Sequence, residues 1–455
     1  MAATARASGG EPARRGGAVM VSAAPAAAGG TAETLTPVGY RPRVVDGLIA
    51  EQLRTMGAVV LEGPKGCGKT WTGLRHARSV VRFDADASAR GLAAISPDAV
   101  LDGEHPRLLD EWQLVPDLWN HVRHACDHAG KPGQFVLTGS ALPTNDIVRH
   151  SGAGRISRTR QRPMSLFESQ MSTGQVSLAG LLAGEPVEPG RTEPEFRDML
   201  DALCVGGWPW LAAATPAEAQ RRLREYLDEV RHVQINGDSV RSRDPVLVER
   251  LMISLARNSA ATVPVSRLAA EGGGEQPLNH QTARAYLDAL HQIFVIEDQP
   301  AWATHLRSRS RLTKSPKRHF VDPALAAAVL RASPSALLSD LETCGLLFES
   351  LVVRDLRVYG EAADCDVSHY RLDSGVEADA IVSRRFEGEW IVVEAKLSPA
   401  PDSIDAAAAS LRRAVGSIDT ARAGAPAALL VVTPAGYAYT RPDGVSVVPV
   451  SLLGP

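Results

Sequence analysis

Gly63-Pro64-Lys65-Gly66-Cys67-Gly68-Lys69-Thr70 spells a complete G-x-x-x-x-G-K-T. The apolar run Ala58-Val59-Val60-Leu61 precedes it and a helix-compatible stretch follows, which sets the pattern at a strand-to-helix turn. Glycines there let backbone N–H groups converge on a polyphosphate, and the new helix turns its positive end toward the same charge. Lys69 is expected to reach the β- and γ-phosphates and Thr70 to place its hydroxyl on Mg²⁺. The whole loop from Gly63 to Thr70 therefore reads as a nucleoside triphosphate site, with ATP and Mg²⁺ as the expected ligands. Such a loop reads phosphates, so base identity is not encoded in it.

Pro106-Arg107-Leu108-Leu109-Asp110-Glu111 is a short apolar strand ending in two adjacent carboxylates. An Asp-Glu pair alone is as compatible with a solvated turn. Downstream of a phosphate loop, Asp110 can hold Mg²⁺ through its water shell and Glu111 can polarise the attacking water. Val80-Val81-Arg82-Phe83-Asp84-Ala85-Asp86 reads as a further strand between the two motifs. Another, Gln134-Phe135-Val136-Leu137, leads into Thr138-Gly139-Ser140, where the Ser140 hydroxyl is placed to sense the γ-phosphate. Of the arginines that follow (Arg149, Arg155, Arg158, Arg160 and Arg162), most read as a basic solvated surface. Arg155, after Ser151-Gly152-Ala153-Gly154, is the candidate arginine finger, acting toward a neighbouring subunit of a homo-oligomer.

These stretches resemble a prokaryotic family of AAA-type ATPases that carry a C-terminal domain of unknown function. Its "GPRxxGKT", "LDEIQ", "LTGSS" and "PLSFxE" segments correspond to Gly63–Thr70, Leu109–Gln113, Leu137–Ala141 and Pro163–Glu168. Its "GGYP" and "EVD" correspond to Gly206–Pro209 and Val376–Asp379. The departures are Trp112 for isoleucine, Ala141 for serine and Cys67 for valine, and none touches a phosphate or metal role. The resemblance spans about Tyr40 to Leu397 and implies a fold and an ATPase activity.

The chain has 455 residues, enough for two to four domains. Lys plus Arg number 49 against 52 Asp plus Glu, a net charge of −3, so overall electrostatics give no push toward nucleic acid or an anionic membrane. Cys67, Cys126, Cys204, Cys344 and Cys365 lack paired spacing, which suits free thiols in a cytoplasmic protein rather than disulfides or a zinc site. No apolar run approaches the roughly 18 to 20 residues of a membrane span. Residues 1–37, rich in Ala and Gly, read as a disordered tail, with an organellar presequence as the alternative. Residues 38–170 follow as the ATPase domain, 171–335 as a helical and winged-helix region, and 336–455 as a C-terminal domain.

In the middle region, Phe196, Met199, Leu200 and Leu203, then Leu223, Tyr226, Leu227 and Val230, carry helical spacing. Leu247–Leu255, Val265–Ala270 and Thr282–Leu290 read as three helices, followed by strand-like Phe294–Glu297 and Arg318–Val321. Three helices and two strands is the winged-helix plan, with Asn279–Tyr286 in the recognition-helix position. Arg307, Arg309, Arg311, Lys314, Lys317 and Arg318 would be phosphate contacts from the wing if the partner is DNA. The same module equally serves as an interdomain lid or a protein-binding surface.

In the last region, the helix bearing Glu349 precedes strand-like Val367–Leu372, Ala378–Val382 and Trp390–Leu397, a helix over Ser403–Val415, and the strand Leu429–Thr433. That order is the core of restriction-endonuclease-like folds, and Asp379, Glu394 and Lys396 fit their Asp…Glu-x-Lys pattern. Asp379 and Glu394 would converge on Mg²⁺, with Glu349 as a further acid. Strand alternation puts Glu394 and Lys396 on one face.

The expected fold class is thus α/β: an AAA-type P-loop NTPase core, a helical and winged-helix middle, and a C-terminal α/β restriction-endonuclease-like domain. The expected function is an ATP-driven switch coupled to that nuclease-like region. A non-cleaving, ATP-gated regulator of protein or DNA and a metal-dependent endonuclease under ATP control are the alternatives.

Overall fold

The computed structural model of the chain describes residues 35–140, 152–234, 244–274, 276–305, 308 and 314–455. The expected N-terminal tail, up to residue 34, lies outside them.

Five short apolar runs build the first sheet: β1 Ala58–Glu62, β2 Ser79–Arg82, β3 Arg107–Asp110, β4 Phe135–Gly139 and β5 Ile156–Arg160. All pair in parallel in the order β2-β3-β4-β1-β5. Such a sheet is covered on both faces, which is why its central strands are apolar throughout rather than alternating. Val60, Leu109 and Leu137 pack on one face with Trp112 and Trp119, while Val59, Leu61, Leu108 and Val136 pack on the other with Ile49 and Leu74. Each fully buried aliphatic side chain contributes about 1.5–3 kcal/mol. β4 lies between β1 and β3, so both nucleotide motifs open at the same carboxyl edge. β2 ends sooner than its apolar pattern suggests because Asp86 caps the helix Ala87–Ile95, accepting from the Ser88 and Ala89 N–H groups.

Beyond this sheet, β6 Val176–Ser177 and β7 Gly190–Arg191 are followed by helices Phe196–Val205, Pro216–Glu229, Pro245–Arg257, Val265–Gly272 and His280–Gln292. Thr215 and Glu218 form a reciprocal cap on the second of these helices. An antiparallel pair, β8 Ile296–Gln299 and β9 Lys317–Phe320, comes next, with Glu297 opposite His319 and Gln299 opposite Lys317.

The C-terminal part begins with the long helix Leu341–Ala362. Then come β10 Cys365–Arg371, β11 Glu377–Arg384, β12 Trp390–Ala395, the helix Pro401–Gly416, β13 Ala428–Thr433, β14 Tyr437–Thr440, β15 Val445–Pro449 and β16 Leu453–Gly454. Its mixed sheet runs β10-β11-β12-β13-β15-β14-β7. Residues 171–191 therefore do more than join the ATPase sheet to the helices: β7 extends the C-terminal sheet and β6 pairs with β16. One continuous apolar core extends from Leu166 to Leu453, so the helical middle and the C-terminal sheet share an interior. Among the described residues no helix is long and apolar enough to cross a membrane. All five cysteines are buried as free thiols.

Candidate functional site

The phosphate loop is built by close packing. A Cβ on Gly63 would sit 2.0 Å from the Gln161 carbonyl oxygen, and Gly68 has φ +100°, a conformation L side chains rarely adopt. The Cys67 thiol donates to the Gln161 carbonyl at 3.4 Å. Lys69, only 5% exposed, directs its ammonium at the Gly63 and Pro64 carbonyls, 2.9 and 2.8 Å away. Arg43 clamps the loop from below. Its Nη1 donates to the Cys67 carbonyl at 2.9 Å, and its Nε reaches the buried Glu168 carboxylate at 3.0 Å.

Beside the loop, Thr70 Oγ1 donates to Asp110 Oδ1 at 2.9 Å, and the Thr138 hydroxyl donates to the same oxygen. Asp110 is buried and Thr138 is its direct register partner across β3 and β4. Glu111 adopts a left-handed backbone, φ +54°, which costs a non-glycine residue about 1–2 kcal/mol. Its carboxylate accepts from Gln113 Nε2 and, at 3.5 Å, from Ser140 Oγ. A hydroxyl and a carboxylate are the hard oxygen donors Mg²⁺ prefers, so Thr70 and Asp110 fit that ion, and the cation-and-amide loop fits the phosphates it accompanies. A cavity of about 720 Å³ opens over Lys69, Thr70, Asp110 and Glu111, walled by Trp71 and Trp210.

Part of that wall comes from outside the ATPase sheet. Trp208 Nε1 donates to the Lys65 carbonyl at 3.2 Å. The neighbouring Gly207 N–H donates to Asp322 Oδ2 at 3.0 Å, and the same oxygen accepts from Arg354 Nη1 at 2.7 Å. Arg354 lies on the long helix Leu341–Ala362, so three bonded steps separate the phosphate loop from that helix.

The arginines after β4 have other partners. Arg149 lies outside the described residues. Arg155 pairs with Asp127 at 2.7 Å, next to the amino end of β1 and at the opposite edge of the sheet from the loop. The structure does not bring it to the phosphate loop of its own chain. Arg158 pairs with Glu62 and lies 4.9 Å over the Trp119 ring. Arg160 and Arg162 are not a solvated surface, because both converge on the buried Glu297 of β8, at 2.9 and 3.0 Å, where Arg357 joins them at 3.0 Å. Burial alone would raise the Glu297 carboxyl, but Arg162, Arg357 and Arg160 hold it far below the usual carboxylate range. A larger cavity of about 890 Å³ adjoins this junction, and these paired charges line it.

Glu349, Asp379, Glu394 and Lys396 do come together, with one addition. Lys396 Nζ lies 2.9 Å from Glu394 Oε1. Between Glu349 and Asp379 lies Lys317, reaching in from β9, with its Nζ 2.6 Å from Glu349 Oε1 and 3.3 Å from Asp379 Oδ1. The other Asp379 oxygen accepts the Ala395 N–H at 2.9 Å. Burial, with Asp379 close by, pushes the Glu349 carboxyl up to about 8, and the same two causes push Glu394 up to about 7. The arrangement does not fit a divalent ion. Each of the three carboxylates already faces a lysine ammonium, and among the described residues no three acid, histidine or cysteine side chains group as metal ligands.

Lys317 is therefore not a phosphate contact on a free wing: it is 4% exposed. Arg318 is also taken, donating to the Val263 carbonyl and lying 3.6 Å from Asp298, and Lys314 pairs with Asp373. Arg307, Arg309 and Arg311 lie outside the described residues.

The sequence reading missed Thr138, Gln113, Arg43, Trp208 and Lys317. One signal for the last was available. Glu297 and Gln299, and Lys317 and His319, alternate along two short strands, a polar stripe that pairing brings to one face.

Comparison with known proteins agrees with the first site. Residues 55–170 match an AAA domain, in keeping with the phosphate loop and the parallel sheet described above. Residues 196–336 and 344–453 match two domains of unknown function, DUF8612 and DUF4143. The chain is 25% identical over 409 residues to the uncharacterized proteins Rv2008c of Mycobacterium tuberculosis and Mb2031c of Mycobacterium bovis, covering 86% of this chain and 79% of each relative. Among solved structures it matches the Walker-type ATPase PABY2304 of Pyrococcus abyssi with a TM-score of 0.40 and 13% identity, over 65% of this chain and 98% of that one.

Proposed function

We propose that the chain is a Mg²⁺-dependent ATPase that works as a switch, passing its nucleotide state to the C-terminal region. The observation that carries this reading is the joint at Asp110 and Glu111: one carboxylate shared by the Thr70 and Thr138 hydroxyls, the next held by Ser140 and Gln113. Bound Mg²⁺ would neutralise phosphate charge beside Thr70 and Asp110. Lys69 holds the terminal phosphates, and Glu111 accepts a proton from the attacking water. The water oxygen bonds to the terminal phosphorus as the bond to the bridging oxygen breaks, leaving ADP and phosphate. Ser140 orients the Glu111 carboxylate.

Transmission is supported by the Trp208–Lys65 contact and by the Gly207–Asp322–Arg354 linkage. A two-state shift of the loop on hydrolysis would be felt by the long helix through these bonds. The lysine between Glu349 and Asp379 favours the non-cleaving regulator over a metal-dependent nuclease as the output. If the partner is DNA, the surface offered is the exposed side of helix His280–Gln292, which includes Gln281 and Arg284.

The test is phosphate release from ATP and Mg²⁺, with and without duplex DNA, in wild type and Arg284→Ala. Turnover raised by DNA in wild type but not in the variant supports a nucleic-acid-coupled switch. Turnover indifferent to DNA points to a protein partner. Absence of any turnover, with ATP still bound, would sink the ATPase reading.

A further inference from the structure

Side chains alternate between faces along each strand of the first sheet, and in-register neighbours share a face. Val80 of β2, Leu108 of β3 and Val136 of β4 pack on the face covered by the helix Lys69–His76, while Val81, Leu109 and Leu137 pack on the other. Two residues beyond the first set, at the carboxyl edge, stand Arg82, Asp110 and Thr138. Register sets Arg82 beside Asp110 and Asp110 beside Thr138. Alternation therefore puts Arg82 on the face where Thr70 meets Asp110, and the next residue, Phe83, is buried on the opposite face. Arg82 lines the cavity over the phosphate loop together with Lys69, Thr70, Asp110 and Glu111. Of the other arginines in that lining, Arg43 is committed to Glu168 and the Cys67 carbonyl. Arg41 lies in the segment leading into the helix Val45–Thr55, not at the strand edge that carries the acids. Arg82 is exposed at the end of its strand.

We propose that Arg82 is a catalytic residue that stabilises, within its own chain, the charge developing on the terminal phosphate during hydrolysis. This rests on the ATPase reading above and adds to it a cation that Arg155, paired with Asp127, does not provide in its own chain. Neighbouring strands lie about 4.8 Å apart. An arginine one strand over from Asp110, on the same face, thus reaches the same part of the cavity without help from a second subunit. A guanidinium stays protonated and takes no proton in the step. The water oxygen bonds to the terminal phosphorus, the bond to the bridging oxygen breaks, and the water's proton goes to Glu111. The negative charge spread over the transferring group and the leaving ADP is what the guanidinium meets. Its loss is therefore felt in turnover far more than in ATP binding.

The experiment compares the full chain as wild type, Arg82→Ala and Arg82→Lys. Three quantities are read: phosphate release with Mg²⁺, equilibrium ATP binding, and retention of ADP with aluminium fluoride, a mimic of the transferring phosphoryl group. Arg82 is exposed, so both variants are expected to fold. Arg82→Ala is expected to lower kcat about 10³-fold, to bind ATP nearly as wild type does, and to lose ADP retention with aluminium fluoride. Arg82→Lys keeps the charge without the planar fork and should recover part of both losses. An equimolar mixture of Arg82→Ala and Lys69→Ala chains should stay inactive, because a cation acting within one chain cannot be lent to another. Wild-type turnover and retention in Arg82→Ala would overturn the proposal and leave the ATPase reading standing. ATP affinity lost in step with kcat would also overturn it, as the mark of a plain phosphate contact. Activity restored by mixing would overturn it as well, by showing a cation that acts between subunits. If wild type itself neither binds nor hydrolyses ATP, the ATPase reading fails and takes the role of Arg82 with it.

Discussion

Glu297→Gln is the sharpest test of how the ATPase sheet is joined to the rest of the chain. The carboxylate accepts from Arg160, Arg162 and Arg357 at 2.9, 3.0 and 3.0 Å, joining β5 and its continuation to the β8–β9 hairpin and the long helix. Glutamine keeps the shape but removes the charge, leaving guanidiniums whose side chains are 12% and 8% exposed at Arg162 and Arg357. Arg160, at 33%, retains solvent and is discounted. Breaking a buried ion pair by neutralising one partner costs about 3–5 kcal/mol, and that is the expected loss. Urea denaturation followed by tryptophan emission measures it as a fall in midpoint at unchanged slope. A double change with Arg357→Met should recover part of the loss, because one stranded charge leaves with its partner. A Glu297→Gln loss below about 1 kcal/mol, the level of a solvent-exposed pair, would refute the buried-junction reasoning.

Other expectations follow from single residues. Burial holds His319 neutral, well below its ordinary range, and likewise His369, down to about 4. The unfolded chain protonates both near pH 6.5, so stability is full above that pH and should fall by about 1.4 kcal/mol per pH unit per histidine as pH drops below it. His319→Gln should shallow that slope, as read from denaturation midpoints between pH 7 and pH 5, roughly the span over which an ordinary histidine titrates. In Gly207→Ala the new Cβ would lie 2.1 Å from the Met164 carbonyl oxygen, so the backbone must shift. Calorimetric melting should show a loss of about 1–3 kcal/mol, and ATP affinity should fall as Trp208 leaves the loop. Arg43→Met strands the buried Glu168 charge and leaves the Cys67 carbonyl with Gln161 Nε2 as its side-chain donor. A stability loss of about 3–5 kcal/mol with weakened nucleotide binding is expected, and unchanged affinity would remove Arg43 from the loop-holding role.

The nucleotide site was legible because its chemistry is local. Four fixed residues among eight, Gly63, Gly68, Lys69 and Thr70, mark the loop, and an apolar strand aims Asp110 and Glu111 at it, so spacing alone reveals the pair. The Glu394–Lys396 pair was legible for the same reason, since the two residues are two apart where β12 ends at Ala395. What spacing cannot reveal is the long-range partner. Lys317 looked like one more charge in a basic run, because nothing in Lys314–Arg318 says that β9 is buried against the long helix. Arg160 and Arg162 looked solvated for a similar reason, as their acceptor Glu297 is 135 residues from Arg162 along the chain. Thr138 was passed over for Ser140 because both hydroxyls follow an apolar strand, and only the β3–β4 register places Thr138 beside Asp110.

The most direct test of the central claim is phosphate release from ATP with Mg²⁺, paired with equilibrium nucleotide binding, in wild type, Lys69→Ala and Glu111→Gln. The account predicts turnover in wild type and loss of binding in Lys69→Ala. In Glu111→Gln it predicts retained binding with turnover reduced about 10²–10⁴-fold, the worth of a positioned general base. Wild-type turnover in Glu111→Gln, or undiminished ATP affinity in Lys69→Ala, would contradict it.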